Sequence, residues 1–281
     1  MRLTIETLMQ PHPYSNSRAI RGGCVFTLGT FDGLHAAHMR LLSRAKHAAR
    51  LCGQPLVVMT FHKNPLEVLS PTRAPRALMT QACKLTELAA AGVDETIICT
   101  FSAELAALEP DDLIESIVRC YHPTDWFVGF NNTFGRAGTG TPKLLLGAGD
   151  RLGFRTHVMP AMIRAGSAVS SSRIRAAVLS GDLQQAQELL GRCYMLQGFV
   201  SDKGVLTVSD RLALPAAGSY NVLLDGAEYT LRLIPRRLGP PGPPTDALVP
   251  VGRILPGAAQ PMPSGIKRLY FIGKSLTQAS S

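Results

Sequence analysis

Short apolar runs alternate with segments of helical periodicity through the first half of the chain, and this pattern constrains the fold more than any other feature. The runs have the length and residue types of buried strands. They are Val25–Phe31, Leu56–Phe61, Glu95–Phe101, Asp125–Gly129 and Arg155–Pro160. The segments between them predict helices over Ala36–Cys52, Thr80–Ala91, Asp111–Tyr121 and Pro142–Leu152. Such alternation predicts an α/β fold with a Rossmann-like parallel sheet covered on both faces.

The pattern changes after Gly191. Two short helices, broken at Gly181, come before this point. Beyond it, brief alternating runs predict a small all-β barrel domain. They are Met195–Val200, Val205–Val208, Tyr220–Leu224, Tyr229–Ile234 and Arg268–Ile272. We therefore expect an α/β domain over 1–191 and a barrel over 192–281, with the Pro- and Gly-rich segment 236–265 as an irregular loop that contributes no central strand.

The composition narrows the function classes. No apolar run reaches the roughly 18 residues of a membrane span, and no charged leader precedes an apolar stretch at the N-terminus, so no membrane partner is expected. The six cysteines occur singly, without a C-x-x-C pair. Isolated cysteines in apolar stretches are typical of buried free thiols, so a reducing cytoplasm is expected.

The chain is basic. Lys and Arg number 29 against 20 acidic residues, for a net charge of +9. This excess indicates an anionic partner, although an ordinary basic surface explains it equally well. Basic residues are not interleaved with aromatic ones, so nucleic acid is not indicated as the partner.

The stretch "FTLGTFDGLHAAHMRLL" is the first candidate site. The predicted strand Val25–Phe31 is closed by Gly29 and Gly33, and His35 and His38 follow one helical turn apart where a helix begins. Ligands of parallel sheets bind beyond the carboxyl ends of the strands, and a helix N-terminus attracts anions. The stretch therefore predicts a phosphate site, and two ordinary surface histidines are the alternative. No third ligand lies nearby, so no metal site is predicted.

The segment "SSSRIR" is the second candidate site. Hydroxyl groups at the start of a helix can cap it or donate to phosphate, and an arginine can clamp phosphate oxygens. A capped, solvated helix start is the alternative.

Four motifs occur in order between Gly29 and Tyr194: "GTFDGLHAAH", "TFHKNP", "FVGFNNTFG" and "VSSSRIRAAVLSGDLQQAQELLGRCY". Together they resemble the bacterial FAD synthetases, which are bifunctional riboflavin kinase/FMN adenylyltransferases within the nucleotidylyltransferase superfamily. The resemblance implies that the domain over 1–191 transfers AMP from ATP to FMN and forms FAD and pyrophosphate. It implies Mg²⁺ held mainly by the nucleotide phosphates, with ATP and FMN as the substrates.

The resemblance also assigns residues. The implied catalytic residues are His35, His38 and Arg175. The implied ATP-binding residues are Gly29, Thr30, Phe31, Asp32, Gly33, His35, His38, Ser171, Ser172, Arg173 and Arg175. The implied flavin-binding residues are Phe61, Asn64, Asn131 and Phe134, for which a functionless Asn-rich turn is the alternative at Asn131. The sequence departs from the family at Ala37, which replaces the glycine of H-x-G-H, and at Lys63 and Asn64, which replace a proline and a histidine.

The second domain lacks the family's kinase motifs. The motifs G-F-P-T-A-N, N-I-G-x-x-P-T and E-x-H-x-x-D-F are absent. Glu228 lies near the region where the last motif would supply a carboxylate base, but no matching residues flank it. We therefore predict a degenerate riboflavin-kinase-like barrel over 192–281 and an FMN adenylyltransferase without kinase activity. The alternatives are a bifunctional enzyme, a nucleotidylyltransferase with another acceptor, and a non-catalytic flavin- or nucleotide-binding protein.

Overall fold

A computed structural model describes residues 9–11, 22–235, 248–255 and 263–274. The chain forms two compact units. The first consists of Met1–Ser70 and Lys84–Ile163, and the second of Pro71–Cys83 and Arg164–Ser281. The second unit therefore includes a short piece of chain from within the predicted α/β half. The boundary near residue 191 stays a prediction.

The first unit is built on a mixed sheet. Its strands in the described part of the chain are β1 (Met9–Pro11), β2 (Cys24–Leu28), β3 (Leu56–Phe61), β4 (Glu95–Cys99), β5 (Pro123–Gly129) and β6 (Arg155–Met159). Their order is β1-β4-β3-β2-β5-β6. Strands β2 to β6 pair in parallel, and β1 joins antiparallel at the edge beside β4. The Rossmann-like α/β prediction is confirmed, whereas the edge strand β1 was not predicted.

The strand order places a crevice beside β2. The chain moves outward from β2 through β3 to β4 and then returns to the other side of β2 with β5 and β6. In such sheets the ligand site lies at the carboxyl ends of the two strands where the direction reverses. Here those strands are β2 and β5. Both β2 and most of β3 are buried, as expected for central parallel strands.

The helices predicted from the sequence are present, whereas the short helices Pro65–Leu69 and Ala103–Ala106 were not predicted. They are α1 (Ala36–Cys52), α2 (Pro65–Leu69), α3 (Gln81–Ala90), α4 (Ala103–Ala106), α5 (Pro110–Tyr121), α6 (Pro142–Leu152), α7 (Ser171–Ser180) and α8 (Leu183–Leu190). Helix α1 buries the apolar face that contains Leu42 and Ala45, and it ends at Gly53 in the left-handed conformation, with φ of 63°. Among the described residues, no helix has both the length and the apolar character needed to cross a membrane.

The second unit contains a closed antiparallel barrel. The described strands are β9 (Met195–Val200), β10 (Val205–Ser209), β11 (Gly218–Leu224), β12 (Ala227–Leu233), β13 (Leu248–Leu255) and β14 (Gly265–Lys274), after a small hairpin of β7 (Ile163–Arg164) and β8 (Ser167–Ala168). The barrel order is β10-β13-β12-β11-β14-β9. The prediction of a small all-β barrel is confirmed.

The prediction that the Pro- and Gly-rich segment contributes no central strand is wrong. Strand β13 lies within it, between β10 and β12. The pairing of β10 with β13 shifts register between Leu206 and Thr207, and Pro250 is the partner of Thr207. A proline is tolerated at such a bulge because regular pairing is already interrupted there. The rest of segment 236–265 lies largely outside the described residues.

Candidate nucleotide-binding site

The loop from Gly29 to Leu34 connects β2 to α1 at the crevice. The Gly29 N–H donates to the Met59 carbonyl at 3.1 Å, which fixes the start of the loop against β3. Phe31 and Leu34 have positive φ angles of 49° and 39°. A side chain makes this conformation costly, and such strain is concentrated at binding and catalytic sites. The loop therefore has a specific shape maintained by its surroundings.

The two histidines form a stacked pair at the start of α1. His35 is the N-cap residue, and its Nδ1 accepts the N–H of His38 at 3.4 Å. The two ring centroids are 3.6 Å apart with an angle of 12° between the ring planes. The ring of Phe31 lies 5.1 Å from that of His38. The structure thus brings together the pair that the sequence spacing predicted.

Burial keeps both imidazoles neutral at pH 7. His35 is 5% exposed, and burial lowers its pKa from 6.5 to about 4. Burial also lowers the pKa of His38 well below 6.5, and the neighbouring His35 lowers it further. Because Nδ1 of His35 accepts a hydrogen bond, the proton of the neutral ring is assigned to Nε2. His35 can therefore donate from Nε2.

Nδ1 of His38 is a buried ring nitrogen of this pair. Among the described residues, Nδ1 of His38 is buried and makes no hydrogen bond. A buried polar atom without a partner is energetically costly and is uncommon outside functional sites. The described residues therefore leave the hydrogen-bonding capacity of this nitrogen unused.

A buried lysine outside the set of predicted site residues contacts the same loop. The Nζ of Lys84, on α3, lies 3.3 Å from the Thr30 carbonyl oxygen and 2.8 Å from that of Phe61. Lys84 and the buried Leu88 are four residues apart, so they share one face of the helix. The sequence could have indicated Lys84, because a charged residue on the apolar face of a predicted helix is uncommon.

The loop after β5 contains the predicted flavin residues Asn131 and Phe134. Asn131 is exposed at this edge of the sheet, whereas Phe134 is only 8% exposed and packs in the hydrophobic core. The neighbouring Asn132, which is not among the predicted site residues, donates from Nδ2 to the carbonyl of Leu28 at 2.8 Å. This bond ties the loop after β5 to the end of β2. Phe130 presents an exposed aromatic ring beside Asn131.

The other predicted flavin residues follow β3. The half-buried ring of Phe61 packs edge-on against Phe101, with centroids 5.6 Å apart. Asn64 forms a capping box at the start of α2: its side chain accepts the N–H of Leu66 at 3.0 Å, and the Glu67 carboxylate accepts the N–H of Asn64 at 3.0 Å. A structural role therefore accounts for the Asn64 side-chain oxygen. The flavin-binding roles of these residues stay predictions.

The predicted residues around Ser171 belong to the second compact unit. The cap of α7 is Ser170, whose Oγ accepts the N–H of Arg173 at 3.4 Å. The guanidinium group of Arg173 donates to carbonyls of the β7–β8 hairpin, including that of Ser167 at 2.8 Å. Nε of Arg175 donates to the carbonyl of Arg76 at 2.6 Å. The ATP-binding roles of Ser171, Ser172, Arg173 and Arg175 stay predictions.

A family model described as FAD synthetase matches residues 17–173 of the chain. The chain belongs to this family. The matched region includes the loop from Gly29 to Leu34, both histidines and Lys84.

The curated relatives of the chain carry a bifunctional name. A bifunctional riboflavin kinase/FMN adenylyltransferase from Bacillus subtilis is 30% identical over 70% of this chain and 62% of its own. The protein of the same name from Escherichia coli K12 is 32% identical over 66% of this chain and 59% of its own. The chain thus spans about 60% of the length of these curated relatives.

A solved structure covers nearly all of this FAD synthetase family member. It is described as a macrolide-efflux protein from Streptococcus pneumoniae. It has a TM-score of 0.74 and 25% sequence identity, and the match covers 95% of this chain and 91% of the other. The similarity therefore extends over both compact units.

The described side chains of this FAD synthetase family member include no group of three or more His, Cys, Asp or Glu residues that could hold a metal ion. The His35–His38 pair offers two imidazoles, and protein metal sites usually need more ligands.

Proposed function

We propose that the chain is an FMN adenylyltransferase that transfers AMP from ATP to the phosphate of FMN and releases pyrophosphate. The observation that carries the proposal is the stacked His35–His38 pair at the N-terminus of α1, directly beyond the carboxyl end of β2. This position combines a helix N-terminus, which favours anions, with imidazole donors in a buried setting. Membership in the FAD synthetase family supports the same activity.

The reaction makes modest chemical demands on the protein. An oxygen of the FMN phosphate attacks the α-phosphorus of ATP, and the bond from that phosphorus to the pyrophosphate oxygen breaks. The attacking oxygen is already anionic, so no general base is needed. The protein must align the two groups and stabilise the charge that develops on the phosphoryl oxygens.

The neutral histidines suit this task. With Nδ1 of His35 engaged in the helix cap, its Nε2–H is available to donate to a phosphate oxygen. A donor held in a buried site needs little reorganisation during the reaction and interacts strongly with developing charge. Mg²⁺, held by the ATP phosphates, would neutralise part of the charge on the pyrophosphate leaving group.

The acceptor could instead be a phosphate compound other than FMN. Lys63 and Asn64 replace two residues of the family motif, and the capping box at α2 occupies the side-chain oxygen of Asn64. Exposed Asn131 and Phe130 offer an amide and an aromatic face at the end of β5, which suits a flavin ring. FMN is therefore the proposed acceptor. A nucleotidylyltransferase that uses another phosphate compound is the second candidate.

The barrel is proposed to have lost riboflavin kinase activity. The family's kinase motifs are absent from its sequence, while residues of the barrel frame remain well packed. Tyr220 is buried, and its hydroxyl donates to the carbonyl of Ala216 at 2.7 Å. A Cβ on Gly198 would lie 2.7 Å from the Thr207 carbonyl oxygen, so the strand requires a glycine there. These contacts support a structural role for the barrel.

The deciding experiment is a chromatographic assay of the purified protein with ATP and Mg²⁺, given FMN in one reaction and riboflavin in another. We expect FAD from FMN and no product from riboflavin. FMN or FAD formed from riboflavin would contradict the loss of kinase activity. If a folded protein forms no FAD from FMN, a screen of other phosphate acceptors tests the second candidate.

The role of the second histidine is tested by His38→Ala. We expect this change to lower kcat for FAD formation by about 10²- to 10³-fold, as the loss of one transition-state donor does. His47→Ala is the matched control, because His47 is exposed on the same helix. A His38→Ala enzyme with a nearly normal rate would remove this histidine from the mechanism.

A further inference from the structure

Lys84 makes an unusual set of contacts in the first compact unit. Its side chain comes from α3 and is 8% exposed. Besides the carbonyl oxygens of Thr30 and Phe61, its Nζ contacts Oγ1 of Thr60 at 3.2 Å. The three N–H groups of the ammonium thus have three oxygen acceptors. These acceptors come from two adjacent parallel strands or the loops that follow them, so the lysine joins β3 to the loop after β2.

The acceptors do not neutralise the charge of Lys84. Two are backbone carbonyls and one is a hydroxyl, so none is a carboxylate. Burial lowers the pKa of Lys84 to about 8, and the carboxylate of Asp32 only partly opposes this effect. Burying an ammonium without a directly bonded carboxylate is costly, and a methionine of similar length would avoid that cost. A costly charge retained at a site is a common mark of function.

The contact with Thr30 acts on the part of the chain that sets the histidine geometry. Oγ1 of Thr60 also donates to the Thr30 carbonyl, at 3.1 Å, so this oxygen is bound from two sides. Phe31 and Leu34, with their positive φ angles, follow in the same loop. Phe31 packs against the His38 ring, and Leu34 directly precedes His35. Because the loop backbone is strained, it needs fixed contacts to keep its shape.

We propose that Lys84 is a positioning residue for adenylyl transfer: its ammonium fixes the Thr30 carbonyl and thereby holds the loop from Gly29 to Leu34, with His35 and His38 after it, in the geometry that receives the nucleotide phosphates. The proposal rests on the proposed adenylyltransferase function. Lys84 acts through the loop, so its removal changes where the histidines lie without removing either of them.

The test replaces Lys84 by Met, which keeps the length of the side chain and removes the charge and the donors. We expect kcat for FAD formation to fall about 10- to 100-fold, the effect of misplacing catalytic groups by roughly 1 Å. The KM for ATP should rise by a smaller factor than kcat falls. The matched control is Lys46→Met, which removes the same charge from a lysine paired with Asp94 and is expected to keep kcat within about twofold.

Hydrogen exchange of the ligand-free protein provides a readout that does not depend on activity. In Lys84→Met, amides in a peptide covering residues 28–40 should exchange about tenfold faster or more, while those of α5 stay unchanged. A purely structural lysine would instead alter exchange in both regions together or lower the melting temperature without changing kcat. If Lys84→Met does not fold, the same measurements are made on Lys84→Gln. Glutamine keeps one donor group and removes the charge.

The outcomes separate the two proposals. If wild-type protein forms FAD and Lys84→Met matches it in kcat and in exchange over residues 28–40, the positioning role is wrong. If wild-type protein forms no FAD, the proposed function fails. The exchange experiment then still decides whether Lys84 holds the loop, and unchanged exchange there would overturn that part as well.

Discussion

The buried histidine pair makes folding sensitive to acid. In the unfolded chain His35 titrates near 6.5, whereas in the folded protein burial lowers its pKa to about 4. Between these values the unfolded state binds more protons, so the free energy of unfolding decreases as the pH falls from 7 to 5. For His35 alone this loss is about 2 kcal/mol. This loss is measured by denaturant unfolding of the wild type and of His35→Asn at pH 7 and pH 5.

Asparagine is the suitable replacement because it preserves the helix cap. Its side-chain oxygen can accept the His38 N–H as Nδ1 of His35 does, so most of the difference between the proteins reflects titration. The His35→Asn protein should lose about 2 kcal/mol less than wild type between pH 7 and pH 5. His47→Asn, on the exposed face of α1, should behave as wild type does. Equal pH dependence in wild type and His35→Asn would mean that His35 is not buried in its neutral form.

At the scale of residues, the sequence predicted the contact between His35 and His38, because that contact follows from local spacing. His35 and His38 lie one turn apart, and that spacing alone places them on one face of α1. Lys84 was not predicted because its acceptors, the carbonyls of Thr30 and Phe61, are more than 20 positions away in the chain. Its role depends on which strands become neighbours. The capping role of Asn64, by contrast, was readable from Glu67 three residues later.

At the scale of elements, strands and helices within the parallel sheet followed the apolar pattern, because central strands and amphipathic helices need continuous apolar faces. Strand β13 did not, because Pro250 and Gly252 are poor strand formers in isolation. The barrel accommodates both residues because of strand contacts that form only when the barrel closes. Pro250 lies beside a register shift, and Gly252 lies where the backbone of β12 comes close.

The glycine in β13 gives a direct test of this packing. A Cβ at Gly252 would lie 2.4 Å from the carbonyl oxygen of Arg232, so Gly252→Ala forces the two backbones apart. We expect the free energy of unfolding to fall by about 1–3 kcal/mol. Gly273→Ala in β14 is the control, since no atom lies within 4 Å of the added carbon, and it should change stability by about 0.5 kcal/mol or less. Equal effects of the two substitutions, measured by denaturant unfolding, would contradict the placement of β13.

At the scale of the whole molecule, the two compact units are not continuous segments of the chain. The segment Pro71–Cys83 precedes two strands of the parallel sheet, yet it belongs to the unit that contains the barrel. The Ala77 N–H donates to the Arg211 carbonyl at 2.8 Å, and the Ala213 N–H donates back to Ala77 at 2.8 Å. Oγ1 of Thr80 donates to the side chain of Gln197 at 2.6 Å. A composition change near residue 191 could not reveal contacts this distant in sequence.

These contacts predict how a chain ending at residue 191 behaves. Such a fragment keeps the strands of the parallel sheet but loses Gln197, Arg211 and Ala213, the partners of segment 71–83. Cys83 is fully buried in the complete chain, and its thiol should become accessible in the fragment. We expect its alkylation by N-ethylmaleimide, followed by peptide mass spectrometry, to accelerate by about tenfold or more.

Cys99 provides the internal control for this truncation. It lies in β4 of the first unit, is buried, and has a pKa raised by burial to about 12. Its alkylation should stay slow in both proteins if the parallel sheet folds without the barrel. Rapid reaction of Cys99 in the fragment would show that the sheet itself needs the barrel. Slow reaction of Cys83 in the fragment would show that segment 71–83 keeps its structure alone, and the boundary near residue 191 would then mark an independently folding domain.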